Sequence, residues 1–156
     1  MVKNNFNCIV DFDKEYDSKE QLFDVLSSKL VSEGFVEDNY NKEILKREKV
    51  YPTGLKTKYC NVAIPHTNSE FVKQPFIYFT RLKDKLNFCE MSGVEETLEV
   101  KMVFVLGIKE AKNQVVILQS IMNFLMDAQK VKDCLNSNDK KRVEKIIEEI
   151  LEGVNE

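Results

Sequence analysis

Residues 99–107 read EVKMVFVLG, and five apolar residues, Met102-Val103-Phe104-Val105-Leu106, stand together at the centre of this stretch. A strand with one solvated face alternates apolar and polar side chains, whereas a strand covered on both faces is apolar throughout. Residues 99–102 alternate only briefly before the apolar run takes over. We therefore expect a central, doubly covered strand that ends at Gly107.

Two further β-prone runs precede this strand, at residues 58–64 and residues 76–82. Both are rich in aromatic and β-branched residues, and the second contains the sequence Phe-Ile-Tyr-Phe. A turn at Pro52-Thr53-Gly54 comes before the first run. Both runs are predicted to join the same sheet as the central strand.

Helices are predicted on either side of the strands. The first covers residues 18–30, with Ser18 and Gln21 as a capping box. The second starts from Asp38 as its N-cap and ends by Tyr51, because a proline follows and disfavours helical backbone in the residue before it.

The C-terminal third is predicted to form three helices, at residues 113–128, 131–135 and 139–151. The longest has a wide apolar face typical of packing on a sheet. That face is expected to contain Val115, Leu118, Ile121, Met122, Leu125 and Met126. Helices at both ends with strands between them fit one mixed sheet flanked by helices, so the fold class is α/β or α+β, and one domain is expected for the 156 residues.

The composition excludes several functional classes. The 23 basic and 26 acidic residues leave a formal charge of -3, with no block of one sign that would bind nucleic acid or anionic lipid. The apolar runs are too short to span a bilayer, and the first residues lack the apolar core of a signal peptide. We expect a cytoplasmic protein with no nucleic-acid partner and no membrane insertion.

Four cysteines and one histidine limit the available chemistry. The cysteines are scattered without a C-x-x-C pair, and one histidine cannot supply a histidine-rich zinc site. Neither a metal nor a cofactor is predicted, and the cysteines are expected to be reduced thiols. A catalytic Cys-His pair is an alternative, although no local nucleophile motif surrounds any of the four cysteines.

The single histidine, His66, follows the apolar run Val62-Ala63-Ile64-Pro65 and precedes polar residues. This places it where a strand leaves the core and meets a rigid proline. Neutral imidazole is a nucleophile near physiological pH, so a phosphoryl-carrying role is possible. A half-buried structural histidine is the alternative. On residue type alone, Arg47 and Glu48 fit a surface charge pair at a helix end, and Thr53 fits a turn residue.

Three segments of the chain occur in a fixed order. They are Arg47-Glu48, then residues 51–55 (YPTGL), then residues 61–67 (NVAIPHT). Together they resemble the enzyme IIA domain of the phosphoenolpyruvate-dependent sugar phosphotransferase system, in the fructose/mannitol superfamily, and they look most like its galactitol-type branch. The resemblance implies that residues 1–156 form one domain with the mannitol/fructose-type fold, a mixed sheet of about five strands flanked by helices.

The resemblance also implies a phosphotransferase relay. In this superfamily the phosphocarrier protein HPr phosphorylates a histidine, here His66, usually on Nε2. A cysteine of enzyme IIB then takes the phosphoryl group, and enzyme IIB works with the membrane enzyme IIC. Arg47 would clamp the phosphate, with Thr53, Thr67 and Asn68 as further phosphate-binding groups.

One position departs from the fructose- and mannitol-type pattern. Those members carry a second histidine near the active one, whereas this chain has Gln114, which cannot be charged. The change agrees with the galactitol-type motifs. It also leaves open a regulatory module that acts on a regulator, or a binding domain that has lost phosphate transfer.

The partners are expected to dock on an apolar surface, because two proteins must use the same cleft in turn. Phe71, Phe88 and Met91 are candidates for its rim, with core packing as the alternative role for each of them. A monomer is expected, since the sequence shows no exposed strand or stripe that requires a symmetric mate.

Overall fold

The structure of the protein is a computed structural model that describes residues 6–92 and 96–152. Its strands are β1 (Asn7–Lys14), β2 (Gly54–Lys56), β3 (Asn61–Ala63), β4 (Phe76–Cys89) and β5 (Thr97–Gly107). Its α-helices are α1 (Lys19–Ser32), α2 (Tyr40–Val50), α3 (Ala111–Leu125), α4 (Ala128–Asn136) and α5 (Lys140–Ile150). A short 3₁₀ turn covers Ser69–Phe71.

The five strands form one mixed sheet in the order β1-β4-β5-β3-β2. The central strand is β5, as its apolar run predicts. It pairs antiparallel with β4 and parallel with β3. The outer strands β1 and β2 pair parallel with β4 and antiparallel with β3, respectively. The predicted α/β class with about five strands is confirmed.

Side chains that alternate along β5 enter two separate cores. Phe104 and Leu106 pack on one face with residues of α3 and α5, including Ile121. Val103 and Val105 pack on the other face with residues of α1 and α2. Successive strand residues point to opposite faces, so an apolar run without polar interruption is what a sheet covered on both sides requires.

The boundaries of several elements differ from those predicted. β1 was not predicted, and β4 continues to Cys89 instead of ending at residue 82. The register of β4 against β5 shifts between Arg81 and Leu86, where the exposed charged residues 83–85 lie. The N-cap of α2 is Asn39 and not Asp38. The predicted cap of α1 is confirmed, since Ser18 accepts a hydrogen bond from the backbone N–H of Gln21.

The apolar face predicted for α3 is wrong at three positions. Val115, Met122 and Met126 are exposed to 60%, 47% and 66%. The buried face of the helix is centred instead on Ile117, Ile121, Phe124 and Leu125. The exposed residues lie seven and four positions apart, so they follow one side of the helix. None of the helices within the described ranges is long and apolar enough to cross a membrane.

Candidate functional site

His66 lies just beyond β3 and is anchored to the central strand. The backbone N–H of Leu106 donates to the carbonyl of Pro65 at 2.9 Å, and His66 itself forms a parallel bridge with Leu106. The preceding residues, Ala63 and Ile64, are buried on opposite faces of the sheet. The backbone of the histidine is therefore held by the most buried strand of the protein, while its side chain is half-buried.

A hydrogen bond from its own backbone orients the His66 ring. Nδ1 lies 2.9 Å from the carbonyl oxygen of Ile64. A carbonyl oxygen can only accept, so this contact assigns the proton to Nδ1. In the neutral ring the other nitrogen, Nε2, then carries the free lone pair. The contact with Ile64 thus leaves the lone pair of the neutral ring on Nε2.

The surroundings of His66 favour the neutral ring. Burial lowers the pKa of His66 below its ordinary value of 6.5, and the positive charge of Arg47 adds to the lowering, while the hydrogen bond to Ile64 works in the opposite direction. A neutral imidazole is the form that can attack phosphorus.

A groove of about 280 Å³ lies between the end of α2 and the loop that follows His66. We call it the α2 groove. Its lining includes Arg47, Val50, Tyr51, Thr67, Asn68 and Phe71. Val50 and Tyr51 are exposed to 61% and 63%. The groove combines exposed apolar side chains with the cation of Arg47, and its lining residue Thr67 directly follows His66 in the chain.

Arg47 and Asn68 meet within this groove. Nη1 of Arg47 donates to Oδ1 of Asn68 at 2.8 Å, and the guanidinium carbon lies 5.4 Å from the centroid of the Tyr51 ring. A guanidinium has five N–H donors, so one bond to Asn68 leaves donors for an anion. Thr67 is buried, and its hydroxyl donates to the carbonyl of Asn68 at 3.0 Å. Arg47, Thr67 and Asn68 therefore lie together in the groove, and Thr67 and Asn68 directly follow His66 in the chain.

Thr53 occupies a different position, turned toward a buried carboxylate. Its backbone N–H and its hydroxyl each donate to Glu48, both at 2.8 Å. The hydroxyl oxygen also accepts from the backbone N–H of Ile64 at 3.2 Å. The phosphate-binding role of Thr53 stays a prediction, and the hydrogen bonds of its hydroxyl in the structure are internal.

Glu48 does not lie at the surface, contrary to what its residue type predicts. It is only 4% exposed and does not form a surface charge pair with Arg47. Tyr40, Ile44 and Glu48 follow one another at intervals of four residues, so all three fall on the buried face of α2. This spacing is the sequence signal that could have identified the carboxylate.

The remaining predicted residues lie farther along the chain. Gln114 is partly buried in the first turn of α3, which the chain enters shortly after β5 ends. Phe88 is 0% exposed and packs edge-to-face on Phe23, so its proposed place on a docking rim is wrong. Phe71 lines the α2 groove, and Met91 is exposed to 41%. Within residues 6–92 and 96–152, no group of three or more His, Cys, Asp or Glu side chains could hold a metal ion.

Comparison with solved structures defines the class of fold. The chain matches one from the complex of mannitol enzyme IIA and phosphorylated mannitol enzyme IIB of Escherichia coli with a TM-score of 0.71 at 20% sequence identity. The match covers 96% of this chain and 97% of the other. The protein has the fold of the mannitol-type enzyme IIA domains.

Comparison of sequences defines the family. The family described as phosphoenolpyruvate-dependent sugar phosphotransferase system, EIIA 2, matches residues 5–150, and the chain belongs to it. The transcriptional regulator ManR of Bacillus subtilis is 30% identical over 109 residues, 70% of this chain but only 15% of ManR. The galactitol-specific EIIA component of Escherichia coli K12 is 22% identical over 107 residues, 69% of this chain and 71% of that protein.

Proposed function

We propose that the protein is a phosphocarrier in which Nε2 of His66 accepts a phosphoryl group from phospho-HPr and passes it to a cysteine of enzyme IIB. The hydrogen bond between Nδ1 and the Ile64 carbonyl is the observation that carries this proposal. It leaves a lone pair on the nitrogen that must attack, and burial and Arg47 keep the ring neutral. Membership of the EIIA 2 family supports phosphoryl transfer as the general activity.

The proposed steps balance without a cofactor. The Nε2 lone pair attacks phosphorus, a P–N bond forms to His66, and the P–N bond to the HPr histidine breaks with its electron pair leaving on that nitrogen. The new phosphoimidazole keeps its Nδ1 proton and carries positive charge, which the Ile64 carbonyl stabilises. In the second step a thiolate of enzyme IIB attacks phosphorus, and Nε2 leaves as neutral imidazole.

Arg47 is proposed to hold the phosphoryl oxygens during both steps. Negative charge spreads over the three equatorial oxygens in the transition state, and a guanidinium can donate to two of them. The bond to Asn68 fixes one side of Arg47 beside the loop that carries His66. Thr67 and Asn68 are proposed as additional donors from that loop, through backbone N–H groups and the Asn68 side-chain amide, because the Thr67 hydroxyl donates to the Asn68 carbonyl. Gln114 is proposed as an uncharged neighbour in place of the second histidine of mannitol-type members.

The α2 groove is proposed as part of the docking surface for both partners. Val50 and Tyr51 offer exposed apolar area beside Arg47, and interface cores are enriched in such aromatic and arginine residues. The similarity to the galactitol-specific component favours a galactitol-type sugar or polyol system, with enzyme IIC as its membrane part. We propose a cytoplasmic monomer whose 156 residues are one enzyme IIA domain.

The test of this function is phosphoryl uptake. Wild type and His66→Ala are incubated with phosphoenolpyruvate, enzyme I and HPr, and an acid-labile phosphate is sought by mass. We expect one phosphate on wild type and none on the variant. Equal, minimal uptake by both proteins would show that the phosphocarrier proposal is wrong.

A regulatory module is the second candidate, because the matching relative ManR is described as a transcriptional regulator. The two candidates differ in where the phosphate goes. Phosphorylated protein is mixed with a galactitol-type enzyme IIB. Transfer to its cysteine supports the transport role, whereas a phosphate that stays on His66 supports regulation.

A further inference from the structure

We infer that Glu48 is a positioning residue for His66, acting through a chain of hydrogen bonds that runs from the Glu48 carboxylate through Thr53 and the backbone of Ile64 to Nδ1 of the imidazole. The consequence for phosphoryl transfer rests on the proposed function. The orientation of the imidazole ring is independent of the proposed function, so ring orientation and phosphoryl transfer can be tested separately.

The direction of each hydrogen bond in this chain is fixed. The backbone N–H of Ile64 can only donate, so the oxygen of the Thr53 hydroxyl accepts from it at 3.2 Å. The hydroxyl must then give its own proton to another acceptor, which is Glu48 at 2.8 Å. The second carboxylate oxygen accepts from the backbone N–H of Thr53 at 2.8 Å. Both contacts of Glu48 are with donors.

Only an ionised carboxylate satisfies this arrangement. It offers two acceptor oxygens, whereas a glutamine side chain offers one acceptor and one donor group. In Glu48→Gln the amide NH₂ group would face one of the two Thr53 donors, and that buried donor would lose its partner. The carboxylate is 4% exposed, so water does not readily replace the lost bond.

The chain ends at the peptide that orients the catalytic ring. The N–H of Ile64 is shared between two oxygens of Thr53, the hydroxyl oxygen at 3.2 Å and the backbone carbonyl oxygen at 3.3 Å. The next carbonyl, that of Pro65, accepts from the backbone N–H of Leu106 at 2.9 Å. Between these two fixed points lies the Ile64 carbonyl, which accepts from Nδ1 of His66 at 2.9 Å. If the Thr53 hydroxyl loses its acceptor or is removed, its contact with the Ile64 N–H is weakened or lost, and the backbone carbonyl of Thr53 remains as the acceptor at that nitrogen. The ring can then turn and place its proton on Nε2, which removes the lone pair.

The experiment uses the fact that His66 is the only histidine. Every imidazole ¹⁵N signal in the spectrum of the protein therefore reports this ring. The ¹⁵N shifts of Nδ1 and Nε2 give the tautomer, and kcat and KM for phosphoryl uptake from phospho-HPr give the consequence. The variants are Glu48→Gln, Thr53→Val and the conservative Thr53→Ser, which keeps the hydroxyl.

Thr80→Val is the matched control. Thr80 is fully buried, and within the described part of the chain its hydroxyl has no hydrogen-bond partner. Thr80→Val makes the same substitution as Thr53→Val at another buried position, so it measures the effect of the substitution without breaking the hydrogen-bond chain from Glu48. A ¹H–¹⁵N backbone spectrum with native dispersion establishes that each variant is folded.

We expect wild type, Thr53→Ser and Thr80→Val to carry the proton on Nδ1. Glu48→Gln and Thr53→Val are expected to shift toward the Nε2–H tautomer, with kcat reduced on the order of tenfold to a hundredfold and KM changed little. Wild-type tautomer and kcat in folded Glu48→Gln and Thr53→Val would overturn the inference. A tautomer change in these variants, without phosphate uptake by wild type, would support the positioning role and reject the proposed function.

Discussion

Nη1 of Arg47 donates to Oδ1 of Asn68 over 2.8 Å and thereby connects the last turn of α2 to the loop that follows His66. The Tyr51 ring lies against the same guanidinium, with its centroid 5.4 Å from the guanidinium carbon. A side chain held on two sides loses less conformational freedom when it binds an anion. Arg47 is therefore the best preorganised cation at the site.

Arg47→Lys is expected to slow phosphoryl uptake about tenfold to a hundredfold, or about 1.4–2.7 kcal/mol in the barrier. An ammonium keeps the charge but cannot present two parallel N–H groups to the phosphoryl oxygens. The measurement is the single-turnover rate from phospho-HPr. Lys46→Met, which removes a cation from the same groove, is the control. Equal rates for wild type and Arg47→Lys would contradict the clamp.

The pKa of His66 is expected below its ordinary value of 6.5 and should rise in Arg47→Met. Burial disfavours the imidazolium form, and the guanidinium repels it, so removing the cation makes protonation easier. An NMR titration of the single histidine measures this directly. A wild-type pKa above 6.5 would be the opposite result.

Glu48 should make the stability of the protein depend on pH. Burial raises its pKa from 4.5 to about 7, although both Thr53 bonds and the charge of Lys19 favour the carboxylate. Between these values the folded state binds more protons than the unfolded state, so its contribution to stability is complete below pH 4.5 and is lost as pH rises through 7. The expected loss is about 3 kcal/mol.

Urea unfolding at pH 5 and pH 8 tests this dependence. The unfolding free energy of wild type, relative to Glu48→Gln, should be lower at pH 8 than at pH 5 by most of that amount. Glu20→Gln, at an exposed position of α1, serves as the control and should show no such change. A difference that is the same at both pH values would mean that Glu48 titrates alike in the folded and unfolded chains.

Val50→Ser should raise the KM for phospho-HPr about threefold to tenfold and leave kcat nearly unchanged. Val50 contributes exposed apolar surface to the α2 groove, and a serine cannot recover that area on docking. The control is Val25→Ser, which removes another surface valine, 47% exposed against 61% for Val50, from α1. An equal rise in KM for both variants would show that the α2 groove is not part of the docking surface.

The central part of the fold could be predicted from the sequence because burial on both faces leaves an uninterrupted apolar run. Residues 102–106 show it in β5. β1 could not be predicted in the same way. It lies at the edge of the sheet and is only partly buried, and Asp11 and Asp13 interrupt its apolar residues. In β4 the exposed charged residues 83–85 interrupt the apolar pattern, so the sequence does not predict that the strand continues beyond them. Its pairing with β5 resumes at Leu86 after a register shift.

The sequence predicts which residues could form the site but not the hydrogen bonds that join them. The sequence order brought His66, Arg47 and Asn68 into one hypothesis, and the structure shows Arg47 bonded to Asn68. Glu48 was misplaced because a charged residue beside another charge suggests solvent, whereas the side chain follows the buried stripe of Tyr40 and Ile44. Hydrogen bonds such as that from Thr53 to Glu48 depend on side-chain directions that residue types do not contain.

The bond between Nδ1 of His66 and the Ile64 carbonyl has a kinetic consequence. Because Nδ1 is hydrogen-bonded to the backbone, a phosphocarrier of the proposed kind must accept and donate the phosphoryl group at Nε2, from the same side of the ring. Donor and acceptor proteins then exclude each other, and no ternary complex can form. Steady-state turnover should follow double-displacement kinetics, with parallel lines in double-reciprocal plots and inhibition by an excess of either partner.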